Sequence, residues 1–431
     1  VGRNDFRSVS GIQDYIDDIN TSNVNFTLIQ NAAQANDGTS VEIATLDTVL
    51  DLTAVIAANL TQYQSEIGNA STVATVNDLQ LIIDRVNSSV EAFTIVQTAA
   101  STSDATAVLT DVLNDIIGLT FTGANLSDYQ VAIGSENEIV DISALQTLIT
   151  NVDNTVGAFS AVQTAASNSD ASNLSTTTFD NIDGLSYSEA NFTDYQEAIA
   201  AESSIADVAA LQALIVNVDT SISALTDVTL AASSSDASGI TAATLNSIIG
   251  LTFDSANVTD YQAAIAAEAS IADVAALQAL INSVDTSVAA FTDVQTAASN
   301  SDASGVSETT LGSIISLTFD AANLTAYQAA IAAESSIADV AALQTLINNI
   351  DASLSAFAAV QAAATSSDAS GVSETTLSDI IGLTFDSANF TDYQGAIAAE
   401  AGIADVAALQ ALIDRVDASV LAFDGVQLAT L

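Results

Sequence analysis

Only a narrow set of side chains in this sequence could carry out chemistry: carboxylates, hydroxyls, side-chain amides, tyrosines and four arginines. The 431 residues include 53 Asp and Glu but no His, Cys, Met, Trp, Pro or Lys. The chain therefore lacks the commonest general base, the commonest transition-metal ligands and the Ser-His and Cys-His nucleophile pairs. A glycosidase with two carboxylates remains compatible with this set. A catalytic pair, however, occupies one special environment, whereas nearly every Asp here recurs in several copies, so we expect no enzyme and no cofactor.

The charge balance argues against two classes of partner. Four basic residues against 53 acidic ones give a formal net charge of -49. Such a chain repels the phosphate backbone of nucleic acids and the anionic surface of lipid bilayers. Much of its apolar content is Ala, and no uninterrupted apolar run approaches the ~20 residues that a membrane span needs. We therefore expect no nucleic-acid partner and no direct membrane insertion.

A period of 66 residues organises the sequence. A Tyr-Gln pair recurs six times at that spacing, at Tyr63, Tyr129, Tyr195, Tyr261, Tyr327 and Tyr393. Such periodicity indicates that each repeat is one supersecondary unit. The predicted boundaries are a partial repeat at 1–37, then repeats one to six at 38–104, 105–170, 171–236, 237–302, 303–368 and 369–431. Repeat one has one extra residue, in LTAVIAAN compared with LTFDAAN.

Three helices, here called A, B and C, are predicted in each repeat, and repeat five is representative. Helix A is predicted through SETTLGSIISL with Ser307 as its N-cap, because Ser satisfies free backbone N–H groups at helix starts. Helix B is predicted through LTAYQAAIAAE, with Thr325 and Gln328 at capping-box spacing. Helix C is predicted from about Ser336, with Asp339 as the reciprocal acid, to about Ala364.

A stripe of apolar residues on helix C alternates in steps of three and four, which is typical of one buried helix face. In repeat five the stripe comprises Val340, Leu343, Ile347, Ile350, Leu354 and Phe357. A three-helix unit of 66 residues has only a small core, so we expect neighbouring repeats to stack through helix C. The predicted fold is all-α, with tandem three-helix repeats stacked into an elongated solenoid-like rod. The Ser-rich link after helix C contains no Pro, so helix C is expected to run nearly continuously into the next repeat.

The N-terminal segment aligns with helix C alone. Residues 11–30 match the helix C of repeat one, so the sequence begins with a helix C that lacks a preceding A and B. One interpretation is a simple cap or an excerpt of a longer protein. The other is assembly, in which this orphan helix docks on the C-terminal repeat of a second copy and continues the stack head to tail.

The four arginines are the candidate subunit contacts. Arg3 and Arg7 lie at the N-terminus, and Arg85 and Arg415 share one repeat position in the first and last repeats. Basic residues near the ends of an acidic rod could pair with acids of the next copy. The alternatives are a disordered tail for the first two and a local surface pair with a neighbouring acid for the other two.

Two further kinds of site are suggested by polar motifs. Each repeat carries Asn-x-Ser/Thr, the acceptor sequence for N-glycosylation, which could also reflect a turn followed by a helix cap; its asparagines are Asn59, Asn125, Asn191, Asn257, Asn323 and Asn389. Calcium is an alternative at Asp302 and Asp320, which equally suit Asx turns or caps. The tyrosine of each Tyr-Gln pair is predicted to be core, with its hydroxyl on a polar partner.

The phrases IADVAALQALI at 271–281 and LTFDSANVTDYQAAI at 251–265 carry a resemblance. In a Lys-free, Cys-free acidic chain, they resemble the helical tandem repeats of very large secreted bacterial surface proteins and adhesins. The resemblance implies an extracellular or cell-surface location. It favours a homopolymeric filament subunit, and the alternative is a stalk that holds an adhesive domain away from the cell. Acidic archaeal surface filaments with similar sequons are a second resemblance, and mineral or ice binding through Thr is a weaker third hypothesis.

Overall fold

The computed structural model describes the chain from residue 8 to residue 429, and its side chains as far as residue 423. Over this range the protein is all-helical and contains no β-strand, which confirms the predicted fold class at the level of all-α. The chain divides into two compact units, residues 1–218 and 219–431.

Nineteen α-helices are present in the described range, and they fall into three types. The short A helices are α2 (Ile43–Asp47), α5 (Thr110–Asp115), α8 (Thr176–Asp180), α11 (Ala242–Asn246), α14 (Glu308–Gly312) and α17 (Glu374–Ser378). The B helices are α3 (Leu60–Asn69), α6 (Leu126–Ser135), α9 (Phe192–Ala201), α12 (Val258–Ala267), α15 (Leu324–Ala333) and α18 (Phe390–Ala399). The C helices are α1 (Val9–Gln34), α4 (Val76–Thr102), α7 (Ile142–Ser167), α10 (Val208–Ser234), α13 (Val274–Ser299), α16 (Val340–Ser366) and α19 (Val406–Ala429).

Individual C helices contribute to two successive hydrophobic cores. In unit 219–431, the first half of α13 places Leu277 and Ile281 in one core, and its second half places Val294 in the next. Helix α16 behaves in the same way, with Ile347 in one core and Val360 in the following one. Each core thus combines the end of one C helix, an A helix, a B helix and the start of the next C helix. The same division of one helix between two cores occurs at α4 in unit 1–218.

Because each C helix contributes to two cores, its buried face differs from the predicted apolar stripe. Leu343 and Ile347 are fully buried as predicted, but Leu354 is 40% exposed and Phe357 is only half-buried. The buried residues in this half are instead Ser353, Ala356, Val360, Ala363 and Ala364. The second half of α16 packs against α17 and α18 of the next repeat, and this contact decides which of its residues are buried.

The prediction that helix C continues into the next repeat is wrong. Helix α16 ends with Ser367 in the left-handed region at φ 55°. The Asp368 N–H donates to the Ala363 carbonyl and the Ser367 N–H donates to the Ala364 carbonyl, which together form a Schellman motif. A serine occupies this left-handed position at the five junctions between the six full repeats, at Ser103, Ser169, Ser235, Ser301 and Ser367, and Asn36 occupies it after α1. The chain therefore turns sharply between repeats.

The start of helix B also differs from the prediction. A one-turn 3-10 helix, Ala321–Asn323, leads directly into α15, so the helix begins before Thr325 and the predicted capping box does not form. The Gln328 side chain instead donates to the Val306 carbonyl at 2.7 Å. The turn is held by Asp320, whose carboxylate accepts the Ala322 N–H at 3.0 Å. Thr325 and Gln328 therefore have the spacing of a capping box, but Gln328 binds a distant carbonyl instead of the start of helix B.

The other two helix starts in repeat five are side-chain capped. Ser307 caps α14 by accepting the Thr310 N–H, and the Thr310 hydroxyl accepts the Ser307 N–H in return, which confirms Ser307 as the N-cap. For helix C, Asp339 is itself the N-cap and accepts the Ala342 N–H at 2.7 Å. The predicted start near Ser336 with Asp339 as reciprocal acid is therefore wrong, because a single carboxylate does the capping.

Two helices, Val208–Ser234 and Val274–Ser299, have the length and the apolar composition to cross a membrane. Both are C helices, and their hydropathy comes largely from Ala, Leu, Ile and Val. Helix α13 nevertheless carries Asp285, which accepts a hydrogen bond from the Asn257 amide at 2.8 Å, and Ser287, which accepts one from the Ile315 N–H at 2.9 Å. Polar groups paired to neighbouring loops in this way are more typical of a packed protein interior than of a lipid-facing helix. The absence of membrane insertion stays a prediction.

Candidate functional site

A hydrogen-bonded polar cluster in each repeat is centred on the buried tyrosine of the Tyr-Gln pair. Tyr327 is 1% exposed, which confirms its prediction as a core residue with a polar partner. Its hydroxyl donates to the Asp351 carboxylate of helix C and accepts the Asp320 N–H at 3.0 Å. The same carboxylate oxygen accepts the Asn323 amide at 2.8 Å. We call these four residues, with their counterparts in other repeats, the tyrosine cluster.

The electrostatics of the tyrosine cluster keep the phenol protonated. Burial, followed by the hydrogen bond to Asp351, raises the pKa of Tyr327 above its ordinary value. The pKa values of three equivalent tyrosines are raised by the same two leading causes, at Tyr129, Tyr261 and Tyr393. A protonated phenol donating to a carboxylate is a stable structural contact. It joins the turn before helix B to the middle of helix C.

Glutamines at three repeat positions clamp loops to helices, and their role was not predicted; repeat three has Thr229 in place of one of them. Gln344 accepts the Thr318 N–H at 2.7 Å and donates to the Thr318 carbonyl at 2.9 Å, so it pairs with a backbone segment as another strand would. Gln328 donates to the carbonyl of Val306, as described above. Gln295 donates to a carbonyl in the loop before α16 at 2.9 Å. Their conservation from repeat to repeat was the available signal, but their partners are backbone groups with no sequence signature.

Repeat three contains an aromatic group that sequence analysis also missed. Tyr187 and Phe179 stand where most other repeats have Phe and Leu, and their rings lie edge to face with centroids 5.1 Å apart. The Tyr187 hydroxyl donates to Asp180 at 2.7 Å. Burial, followed by this hydrogen bond, raises the pKa of Tyr187 to about 12. The substitutions enlarge one core and add one surface-facing hydroxyl contact.

The sequon asparagines lie at the end of the 3-10 turn, immediately before helix B, and their side chains do not cap it. Asn125, Asn257, Asn323 and Asn389 are half-buried, and each donates one side-chain hydrogen bond to a helix C aspartate at 2.7 or 2.8 Å. Asn191 is half-buried as well. Asn59 differs, because it is only 5% exposed.

The two aspartates considered for calcium both accept hydrogen bonds from backbone N–H groups. Asp302 accepts the Ser304 N–H at 3.0 Å in an Asx turn, and this contact lowers the pKa of its carboxyl group. Asp320 caps the 3-10 turn. Among the side chains described, those of residues 8–423, no three acidic groups come together in an arrangement that could hold a metal ion.

One surface depression in unit 1–218 has a volume of 660 Å³. Its lining includes Asp128, Glu136, Asp180 and Asp183, together with apolar and amide side chains. Its described lining contains no cationic residue, nucleophile–base pair or buried orphan polar group that would organise a substrate. It is an open acidic hollow between helices.

Two of the four arginines have partners within the chain. Arg85 forms an ion pair with Glu66, 19 residues earlier on helix B. Arg415 forms one with Glu400 at 2.7 Å, 15 residues earlier. The alternative of a pair with an immediate helical neighbour is therefore wrong, since both arginines connect helix C to the end of helix B. Their role in subunit contacts stays a prediction.

Arg3 and Arg7 lie outside the described residues. The orphan helix beside them, α1, is described from Val9 onward. Its first half exposes Ile12 at 45% and Ile16 at 44%, whereas the corresponding Leu79 and Ile83 of α4 are fully buried.

Comparison of the chain with protein-family models, with curated proteins and with solved structures gives no match.

Proposed function

We propose that this chain is a structural subunit of an extracellular filament or fibre. In this proposal its tandem three-helix repeats stack into an elongated solenoid-like rod, and copies join head to tail through the orphan helix α1. The observation that carries the proposal is the division of single C helices between two successive cores, as at α13 and α16. Neighbour-only contacts of this kind are the basis of quasi-one-dimensional repeat proteins.

Charge and site chemistry support a structural role over an enzymatic one. The net charge of -49 keeps elongated molecules apart sideways and keeps them in solution. The polar groups of the tyrosine cluster are paired to one another and to loop backbone. Repetition of the same contacts at Tyr129, Tyr261 and Tyr393 suits a scaffold, because a catalytic centre needs one distinctive environment.

The exposed face of α1 supports the head-to-tail joint. Ile12 and Ile16 occupy positions that are core elsewhere, so covering them would remove apolar surface from water. A heterologous contact of this kind does not close on itself and so propagates into a fibre. In this proposal Arg3 and Arg7, which precede α1 in the sequence, pair with acids of the neighbouring copy.

Light scattering and negative-stain electron microscopy of the purified chain test the proposal. Filaments whose subunit repeat matches the length of one chain are expected. Deleting residues 1–10, or replacing Ile16 with Ser, is expected to leave monomers, whereas Val24→Ser is the matched control because Val24 is 68% exposed on the same helix. If filaments form as well after the deletion and after Ile16→Ser as before, the proposal that copies join through α1 is contradicted.

The competing function is a stalk or spacer of a giant bacterial cell-surface adhesin. It shares the rod but not the self-assembly. Monodisperse monomers at all concentrations, with small-angle scattering of an elongated particle, would favour the stalk. A compact particle in the same scattering experiment would contradict both functions, since both require extended stacking.

A further inference from the structure

One polar position is kept in all six repeats without a side-chain hydrogen bond. The segment Asn-x-Ser/Thr-x-Tyr-Gln varies at both x positions, while the other four positions keep their chemistry. The Asn, Tyr and Gln side chains of repeat five all make hydrogen bonds. The hydroxyl side chain makes none in any repeat, and it is exposed throughout, at Thr61, Ser127, Thr193, Thr259, Thr325 and Thr391.

The fold itself gives no reason to retain this hydroxyl. It lies on the second residue of helix B, after the helix has already begun, so it is not the N-cap. The preceding position changes among Leu, Phe and Val, and the following one among Gln, Asp and Ala. A surface position of this kind normally tolerates substitution with little effect on stability. Its retention therefore points to recognition by something outside the chain.

The asparagine two residues earlier has the geometry of a modifiable amide. In repeat five, the Asn323 nitrogen donates one hydrogen bond, to Asp351, and makes no second one. A side-chain amide has two N–H groups, so one hydrogen remains replaceable. The residue is half-buried rather than enclosed. In repeat one, by contrast, Asn59 is 5% exposed and leaves no room for a large substituent.

We propose that the five half-buried sequon asparagines carry N-linked glycans: Asn125, Asn191, Asn257, Asn323 and Asn389. Asn59 is excluded by its burial. The inference rests on the extracellular location in the proposed function, but it does not require filament assembly. It makes the retained hydroxyl the recognition element of an oligosaccharyltransferase, since that enzyme class acts on Asn-x-Ser/Thr.

The reaction balances with a lipid-pyrophosphate-linked sugar as donor. The Asn323 side-chain nitrogen forms a bond to the anomeric carbon of the sugar, and the bond from that carbon to the pyrophosphate oxygen breaks. The lipid pyrophosphate leaves with the electron pair, and the nitrogen loses one proton to a base of the transferase. The product amide keeps one N–H, so its hydrogen bond to Asp351 is compatible with the glycan.

The test is secretion of the full chain from a eukaryotic host, followed by intact-mass measurement and peptide mapping. Cleavage at Asp and Glu is suited to the mapping because the chain has four Arg and no Lys. Five glycans are expected, each released by an amidase that converts the modified Asn to Asp. An unmodified mass, while a reference acceptor from the same cells is glycosylated, would overturn the proposal. So would a glycan on Asn59 in the folded chain.

Matched variants separate recognition from folding. Thr325→Ser is expected to keep the glycan on Asn323, and Thr325→Ala to lose it, with unchanged melting temperatures for both unglycosylated proteins. Ser307→Ala is the control for a structural hydroxyl, because Ser307 caps α14, and it should lower the melting temperature. A loss of stability in Thr325→Ala equal to that in Ser307→Ala would overturn the proposal. Imaging of unglycosylated chains tests filament formation separately.

Discussion

Repeat one and the later repeats build the same tyrosine cluster from different acceptors. In repeat one, Tyr63 and Asn59 donate to the side-chain carbonyl of Asn87, which is a neutral group. In repeats two, four, five and six, the corresponding acceptor is an aspartate. The hydrogen-bond pattern is retained although the charge is lost.

The two kinds of acceptor show separately what positions the tyrosine and what strengthens its hydrogen bond. A neutral amide is sufficient to position the tyrosine, so the arrangement does not depend on a charge. A carboxylate acceptor makes stronger, charge-assisted hydrogen bonds. It also places a negative charge in a chain that already has 53 acidic residues. Repeat one is therefore a built-in control for the value of the charge.

The largest effect is expected from removing the charged acceptor. Asp351→Ala leaves the Tyr327 hydroxyl and the Asn323 amide without their partner and should lower the local free energy of unfolding by about 3 kcal/mol. Asp351→Asn, which copies repeat one, should cost about 1 kcal/mol. Hydrogen exchange of amides in α15 and α16 is the appropriate measurement, because repeats need not unfold as one unit.

Asn87→Ala is the control for this comparison. It removes a neutral acceptor, so its cost should be smaller, about 1–2 kcal/mol. Equal costs for Asn87→Ala and Asp351→Ala would show that the carboxylate adds nothing beyond geometry.

A smaller effect is expected from the two ion pairs of the first and last repeats. The Glu66 side chain is 10% exposed, whereas the Glu400 side chain is 39% exposed. Arg85→Ala should therefore cost about 1–2 kcal/mol, because a poorly solvated carboxylate loses its partner. Arg415→Ala should cost only a few tenths of a kcal/mol, roughly the value of a surface pair. Denaturant unfolding of single variants measures both.

The double variant Arg85→Ala/Glu66→Ala tests whether the cost of Arg85→Ala comes from leaving the Glu66 carboxylate unpaired. Ala stands at the Glu66 position in the other five repeats, so removing both charges should restore most of the stability. A double variant as unstable as Arg85→Ala would mean that the arginine contributes by packing.

Backbone conformation should give a still smaller difference. After helix A, Asp51 of repeat one has φ 65°, at the position where Gly382 of repeat six has φ 83°. Left-handed backbone costs a side-chain-bearing residue about 1 kcal/mol relative to Gly. Asp51→Gly should stabilise repeat one by about 0.5–1 kcal/mol, and Gly382→Ala should destabilise repeat six by about 1 kcal/mol. Opposite signs in thermal unfolding are the expected result, and two changes of the same sign would contradict the conformational explanation.

The smallest expected effect is on the ionisation of Tyr327, and it appears only in alkaline solution. The folded pKa of Tyr327 is raised, so its contribution to stability is complete below the unfolded value of about 10 and is lost as the pH rises through the folded value. Asp351→Asn removes the charged acceptor and should bring ionisation of Tyr327 to lower pH. Ultraviolet absorbance of the phenolate, which sums over the eight tyrosines of the chain, checks this as a difference between the variant and the unaltered protein. If the unaltered protein and Asp351→Asn titrate identically, the raised pKa of Tyr327 is due to burial alone.

The sequence predicts the helices and the buried tyrosine, because both depend on local periodicity. It does not predict the position of the helix B start, since Thr325 and Gln328 match a capping pattern whose glutamine actually contacts Val306, 22 residues away. It also misplaces part of the helix C stripe, because burial at Ser353 and Ala356 is imposed by the following repeat. Contacts to distant backbone groups leave no periodic trace, so the glutamine clamps were missed for the same reason.

Helices that belong to two cores restrict how such a chain can change length. A deletion that removes one A, B and C helix in register joins the first half of one C helix to the second half of an equivalent one, and both cores remain complete. A deletion that is not a whole number of repeats would leave half a core without its complement. Residues 202–212 and 334–344, which lie two repeats apart, are identical, so such exchange would be nearly seamless. Growth and shortening by recombination would therefore be quantised in steps of 66 residues, and descendants of this chain should differ in repeat number far more readily than in repeat length.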